Sequence, residues 1–322
     1  MRSAVFGFFV LASTFFCALP VLSQDYPTKP IRVVVPFPPG GGMADRMARL
    51  VSDKLRDKFG QALVVENRAG ANANIGAEFV AKAPGDGYTL LFSGEGPIVI
   101  NKFLYPKLPY DPDQFVPVSA VISQSLILVT HPKVPINNLQ QLLAYAKANP
   151  NKLNLATNGS GSNMHLTLEM LQLETGVKIA HVAYKGVPPA LTDLLGGQVE
   201  MMFVGLGTVQ QQVKAGKLRI IATASEKRMA AIPDIAPIAE TLPGFAATTW
   251  FGLVAPAKTP PAIAERLSSA VRDALKQPDV VTLINDLSVE AIGSTPDEMA
   301  AMVKRERERW GKVIRTIGVT LD

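Results

Sequence analysis

Two glycine-rich turns are where the residue types and spacing of this chain point to chemistry. The first is Pro36-Phe37-Pro38-Pro39-Gly40-Gly41-Gly42-Met43-Ala44-Asp45, the second Thr157-Asn158-Gly159-Ser160-Gly161-Ser162-Asn163. Each lies between a strand-like run and a helix-like one. Glycine lets the main chain bend sharply and lets a ligand approach its amides, while the following helix aims unpaired N–H groups and partial positive charge at the same point. Each turn is therefore a natural anion cup, and the second adds hydroxyl and amide donors. Neither contains Lys or Arg, and recognition by amides, hydroxyls and water is weaker and more adaptable than an arginine clamp. Reversible binding follows. The first turn lacks the full Gly-x-Gly-x-x-Gly spacing of a dinucleotide site, neither ends in the Gly-Lys-Ser/Thr of a phosphate loop, and Gly159-Ser160-Gly161 is too short for a serine-hydrolase elbow.

The elements that must position these turns alternate. Ile31–Val35 is a buried-strand candidate, followed after the first turn by Met47, Leu50, Val51 and Leu55 on one helix face. Leu63–Val65 and Tyr88–Phe92 read as further strands, with a short helix from Ile75 to Lys82 between them. The order β-α-β-α-β implies a parallel sheet covered on both faces. The pattern recurs: strand Leu126–Val129, helix Asn138–Ala148, strand Leu153–Ala156, a helix around His165–Glu174, strand Val177–Ala183, helix Pro189–Leu195, and strands Val199–Phe203 and Leu218–Ala222. Phe251–Val254 is a last strand before helices at Pro261–Lys276 and Pro296–Ile314. Two glycine-rich strand-to-helix turns in such a chain suggest two similar lobes.

The 322 residues, 48% hydrophobic and 18% charged, are enough for two ordinary domains and exclude a disordered chain. The one cysteine, Cys17, lies in an apolar run behind Arg2 and ahead of Pro20-Val21-Leu22-Ser23, the pattern of a signal peptide cleaved near Ser23. The mature chain then has no cysteine, which excludes disulfides, thiolate metal sites and cysteine nucleophiles. Losing Arg2 lowers the net charge from +5 to +4, spread along the chain, which argues against nucleic acid. His131, His165 and His181 fall in turn, helix and strand contexts without metal-ligand spacing, so no metal is expected; His165 reads as a packing residue. Asp111-Pro112-Asp113 reads as a turn, Met299, Met302 and Trp310 as core, and Lys304-Arg305-Glu306-Arg307-Glu308-Arg309 as a solvated helix face.

Taken together, several motifs resemble the Bug solute-binding proteins of tripartite tricarboxylate transporters. They are Tyr26-Pro27-Thr28-Lys29-Pro30-Ile31-Arg32, the first turn with Asp45-Arg46-Met47-Ala48-Arg49, Val65-Glu66-Asn67-Arg68, Asn74-Ile75-Gly76-Ala77 and Pro84-Gly85-Asp86-Gly87-Tyr88-Thr89-Leu90. Ala183-Tyr184-Lys185-Gly186, Leu194-Leu195-Gly196-Gly197-Gln198-Val199 and Lys214-Ala215-Gly216-Lys217-Leu218-Arg219 continue the resemblance along the whole mature chain. It implies a type II periplasmic-binding-protein fold: two α/β lobes with mixed, mainly parallel sheets, joined by two crossover segments. Lobe one would hold residues 24–121 and 251–322, and lobe two 122–250. The implied function is a periplasmic receptor without enzymatic activity or cofactor, a monomer that closes over a small aliphatic, aromatic or amino-acid carboxylate. It would deliver this ligand to a permease with a large and a small membrane subunit. A sensory or chemotactic binding protein, or an exported serine hydrolase using Ser160 or Ser162, are the alternatives.

Carried over by motif, the implied ligand contacts are Phe37, Gly41, Gly42, Met43, Ala44 and Asp45 in the first turn and Asn158, Ser160, Gly161 and Ser162 in the second. Phe203, Val204 and Gly205 would face the cleft as a loop running on to Gly207. Three departures stand out: a first turn one residue longer than usual, Ala71-Asn72-Ala73 in place of a glycine-rich stretch, and Glu95 where small polar residues are usual. Asn72 would add an amide to the cleft wall. Glu95, if it faces the cleft ionised, would disfavour a multiply anionic ligand and favour one with a cationic or donor group; a solvated loop glutamate is the plainer alternative.

Overall fold

The computed structural model describes residues 26–40 and 42–321; the expected signal peptide at 1–23, with Cys17, and Gly41 lie outside the described residues. The first half runs β1 (Ile31–Val35), α1 (Met43–Phe59), β2 (Leu63–Asn67), α2 (Asn74–Ala81), β3 (Thr89–Gly94), a π turn (Gly96–Ile100), α3 (Asn101–Leu104) and β4 (Val116–Thr130). Next come α4 (Leu139–Ala148), β5 (Asn154–Thr157), α5 (Asn163–Thr175), β6 (Ala180–Ala183), α6 (Val187–Leu195), β7 (Met201–Gly205), α7 (Leu206–Lys214) and β8 (Arg219–Thr223). The chain returns through β9 (Thr248–Ala255), α8 (Pro261–Leu275), α9 (Pro278–Asp286), β10 (Glu290–Ala291) and α10 (Pro296–Ile317).

The sheet is continuous but built as two matching halves. The first is ordered β2-β1-β3-β9-β4, with β1 to β3 parallel and β9 antiparallel to both neighbours. The second is ordered β6-β5-β7-β4-β8, with β5 to β7 parallel and β4 antiparallel to both neighbours. Each lobe thus takes its antiparallel strand from a crossover: β4 carries the chain into the second sheet and β9 carries it back into the first. The periodicity of Leu126–Val129 captures only the second-lobe end of β4, a strand of 15 residues. Polar Ser123, Gln124 and Ser125 interrupt its apolar pattern where the lobes meet. Helices α7 and α9 were not anticipated.

Local chemistry accounts for the element ends. Helix α1 stops at Gly60, which adopts the left-handed conformation and donates its N–H to Arg56 O. Helix α10 opens with a full capping box between Thr295 and Glu298. The first sheet is covered on one face by Met47, Val51 and Leu55 of α1 with Leu267 and Val271 of α8. The fully buried Trp310 of α10 packs on the other face with Val34, Leu91 and Leu166. Leu166 belongs to α5, so α10 ties the lobes together. Arg307 donates to Ile98 O and Pro112 O and Arg309 to Ala246 O, so the charge run is not simply a solvated face.

Candidate functional site

One cleft lies where the carboxyl ends of β1, β3, β5 and β7 meet the crossovers. From the first lobe it is lined by Phe37, Gly42, Met43, Ala44, Asn72, Ala73 and Gly94 to Pro97, and from the second by Asn158, Ser162, Asn163, Met164, Val187, Val204, Gly205 and Thr208. Gln124, Leu126, Thr249 and Phe251 of the crossovers form its floor. Among the described residues no Lys, Arg or His lines it. The lobes touch across its mouth: a Cβ on Gly42 would lie 3.8 Å from Val187, one on Gly186 3.4 Å from Pro38, and one on Gly161 3.3 Å from the Asn72 amide.

The first turn is held by Asp45 rather than by the ligand side. Asp45 accepts from Gly40 N–H at 3.0 Å, from Arg49 at 3.0 Å through both oxygens, and from Asn67 at 2.7 Å. Burial opposes ionisation, but the Arg49 and Asn67 donors hold this carboxyl below its usual range. Its role is to lock the turn, outside the cleft lining. Gly42 then starts α1 at φ +86°, where glycine is the easier residue, and, having no side chain, leaves the helix start without a side-chain cap. Met43 and Ala44 open a 17-residue helix, whose first N–H groups have no intrahelical partner, and both line the cleft.

The second turn is organised by histidines. Ser162 caps α5, accepting from His165 N–H at 3.3 Å, and Gly161 N–H donates to His165 Nδ1 at 3.0 Å. That bond leaves the ring proton on Nε2, facing Glu169 at 3.4 Å. The His165 hydrogen bond holds Glu169 below its usual range, with burial opposing. His181 stacks on His165 with ring centroids 3.9 Å apart, and burial followed by that neighbour pushes its pKa down to about 4. The two histidines, far apart in sequence, therefore form one support under the cup. Ser160 is partly buried and Gly161 buried, and neither lines the cleft.

Phe203 is fully buried in the second-lobe core; only Val204 and Gly205 of the expected loop reach the cleft, as the end of β7 and the cap of α7. Gly205 is needed for close approach, since a Cβ there would lie 2.1 Å from Gln124 Oε1. Gln124, Asn163 and Thr249 escaped sequence reasoning. Their signal was the presence of polar residues in otherwise apolar strands and at a helix start. Ala71, Asn72 and Ala73 all have positive φ, +46°, +50° and +71°, where glycine is the easier residue. Asn101 clamps this turn by donating to Asn72 O at 2.9 Å and Asn74 Oδ1 at 2.6 Å.

Glu95 is a buried wall residue, not a solvated loop glutamate. Its carboxyl accepts from Asn163 Nδ2 of α5, from the Thr249 hydroxyl at 2.9 Å and from Trp250 N–H at 3.2 Å. Burial pushes its pKa up to about 7 against those donors. Gln124 Oε1 and Asn158 Oδ1 are buried without a hydrogen-bond partner among the described residues.

The family described as "Tripartite tricarboxylate transporter family receptor" matches residues 47–319. Among curated relatives, BugT of Bordetella pertussis is 39% identical over 99% of this chain and 98% of its own. Among solved structures, an R. palustris protein with adipate is 34% identical with a TM-score of 0.87, covering 92% of this chain and 99% of that one. The periplasmic binding protein BugD is 33% identical with a TM-score of 0.86 over 92% and 99%. MatC from Rhodopseudomonas palustris with bound malate is 33% identical with a TM-score of 0.84 over 90% and 100%. The fold is that of the type II periplasmic binding proteins, two α/β lobes joined by two crossovers.

Proposed function

The chain belongs to the tripartite tricarboxylate transporter receptor family, and from that premise we propose that it is an exported, monomeric receptor that binds a small carboxylate between its lobes. It hands the ligand to the large and small membrane subunits of a tripartite permease and performs no chemistry on it. The observation that carries this reading is the convergence of helix starts from both lobes, α1, α5 and α7, on one cleft whose described lining has no cationic side chain. Helix N-termini and hydroxyls attract a carboxylate and release it again, as delivery requires. The relatives solved with adipate and malate support a carboxylate as ligand.

The same reading puts residues 24–121 and 251–322 in lobe one, residues 122–250 in lobe two, and the hinge in β4 and β9. Ligand contacts come from Phe37, Gly42, Met43, Ala44, Asn72, Asn158, Ser162, Val204 and Gly205, joined by Gln124, Asn163 and Thr249. Among the described residues no helix is long and apolar enough to cross a membrane.

Protein stripped of co-purified ligand is titrated with mono-, di- and tricarboxylates, acidic amino acids and aromatic carboxylates. One class should raise the melting temperature saturably, reduce the radius of gyration and be recovered unchanged. If no carboxylate does so, the receptor reading fails. Gene deletion should abolish uptake of that compound; unchanged uptake would assign the receptor to sensing instead.

A further inference from the structure

Glu95 is an acid in a cleft built for anions. Its carboxyl meets the side chain of Asn163, the first residue of α5, so the protein already supplies an anionic group at the second-lobe helix start. The groups around it are uncharged. From its own strand come Ser93 and Gly94, from α5 Asn163 and Thr167, and from β9 Thr249 and Trp250. Charged side chains on packed elements are engaged elsewhere: Arg307 of α10 with the carbonyls of Ile98 and Pro112 and with Asp113, and His165 and Glu169 of α5 with each other. No charged neighbour contributes to the raised pKa of Glu95. In the same cleft lining, Gln124 Oε1 and Asn158 Oδ1 are buried acceptors with no donor among the described residues. Anion-binding capacity remains at the start of α1, where Met43 and Ala44 line the cleft.

We infer that Glu95 selects the ligand: it leaves room for one carboxylate and pairs with a cationic nitrogen at the ligand's other end, so the cleft takes a zwitterion in preference to a dicarboxylate. This rests on the receptor reading above. A ligand ammonium replaces the missing counter-ion of a buried carboxylate and gives N–H donors to the two unpartnered amide oxygens, whereas a second ligand carboxylate faces like charge. A cationic nitrogen binds the ionised form of Glu95, so its affinity rises about tenfold from pH 6 to pH 8 for a group titrating near 7. A dicarboxylate binds the protonated form, and its affinity falls over the same interval.

The test uses the full mature chain, stripped of ligand, and compounds that differ only in one end group: butanoate, 4-aminobutanoate and succinate, then hexanoate, 6-aminohexanoate and adipate. Calorimetry at pH 6, 7 and 8 should show the amino-carboxylate at least tenfold tighter than the dicarboxylate of its length, with the predicted pH slope. Glu95→Gln should flatten that slope and erase the preference. The slope in the unmutated protein needs no variant, so the proposal stays open to refutation if the variant fails to fold. A tighter dicarboxylate, with a ratio unchanged by Glu95→Gln, overturns the assignment and leaves the receptor reading standing. Absence of binding by all six compounds and by the wider carboxylate panel overturns both.

Discussion

Glu95→Gln should make the folded protein more stable in mild alkali and change the shape of its pH profile, with no ligand present. Glu95 holds its proton more tightly folded, at about 7, than unfolded, at 4.5. Between those values the native state binds more protons, so stability is fully present below 4.5 and drains away as pH rises through 7. Linkage puts the loss near 1 kcal/mol at pH 5 and roughly 3 kcal/mol at pH 8, a difference of about 2 kcal/mol that glutamine does not suffer. His181 has the opposite sign. Its folded pKa is depressed to about 4, so it adds stability as pH rises from about 4 to its ordinary 6.5, and the raw profile of either protein mixes the two. The informative quantity is therefore the wild-type minus variant difference, from urea unfolding at pH 5, 6, 7 and 8 with slopes checked for constancy. That difference should move against the wild type by about 2 kcal/mol across the series. A flat difference, or one moving in favour of the wild type, refutes the claim that Glu95 is buried without a counter-ion.

Three further substitutions separate binding from folding. Gly205→Ala has an ordinary strand conformation to occupy, φ −69° and ψ 139°, but drives its Cβ into the Gln124 amide, the movable end of a side chain. We expect a stability change below about 1 kcal/mol and roughly tenfold weaker binding of the tightest carboxylate by calorimetry; unchanged affinity would remove Gln124 from the site. Ser162→Ala removes the cap of α5 as well as a cleft hydroxyl. It should cost about 1 kcal/mol in urea unfolding even without ligand, and a loss confined to the ligand-bound protein would contradict the capping geometry. Ala71→Gly relieves one of three consecutive positive-φ residues and should gain roughly 0.5–1 kcal/mol, less the extra entropy of an unfolded glycine; clear destabilisation would mean the turn is not strained.

The two glycine-rich turns were legible because a turn is a local event. Three glycines before a helix, or Gly-Ser-Gly-Ser before another, prescribe main-chain conformation and helix starts within a few residues of each other. Gly42, Met43, Ala44 and Ser162 accordingly stand in the cleft wall. Asp45, in the first turn, and Phe203, in the stretch expected to run along the cleft to Gly207, turn inward instead, one to Arg49 and Asn67, the other into the second-lobe core. Motif membership places a residue near a site, and packing decides which way it faces. The crossovers were less legible still. Strand β4 reads as a short apolar run because its middle is polar, and that polarity makes sense only once Gln124 is seen to line a cleft between two sheets.

What the sequence determined by itself is the pair of strand-to-helix turns, the repeated α/β order and the family. Short-range geometry carries the first two, and the joint specificity of many short motifs carries the third. What only the tertiary structure decided is the electrostatic character of the cleft. The partners of Glu95, Asn163 and Thr249, lie 68 and 154 residues away, and its burial depends on both lobes. The histidine support under the second cup joins α5 to β6 across 16 residues of chain, from His165 to His181. A carboxyl group carries its charge in the sequence, but whether it keeps that charge depends on how much water the rest of the fold leaves around it.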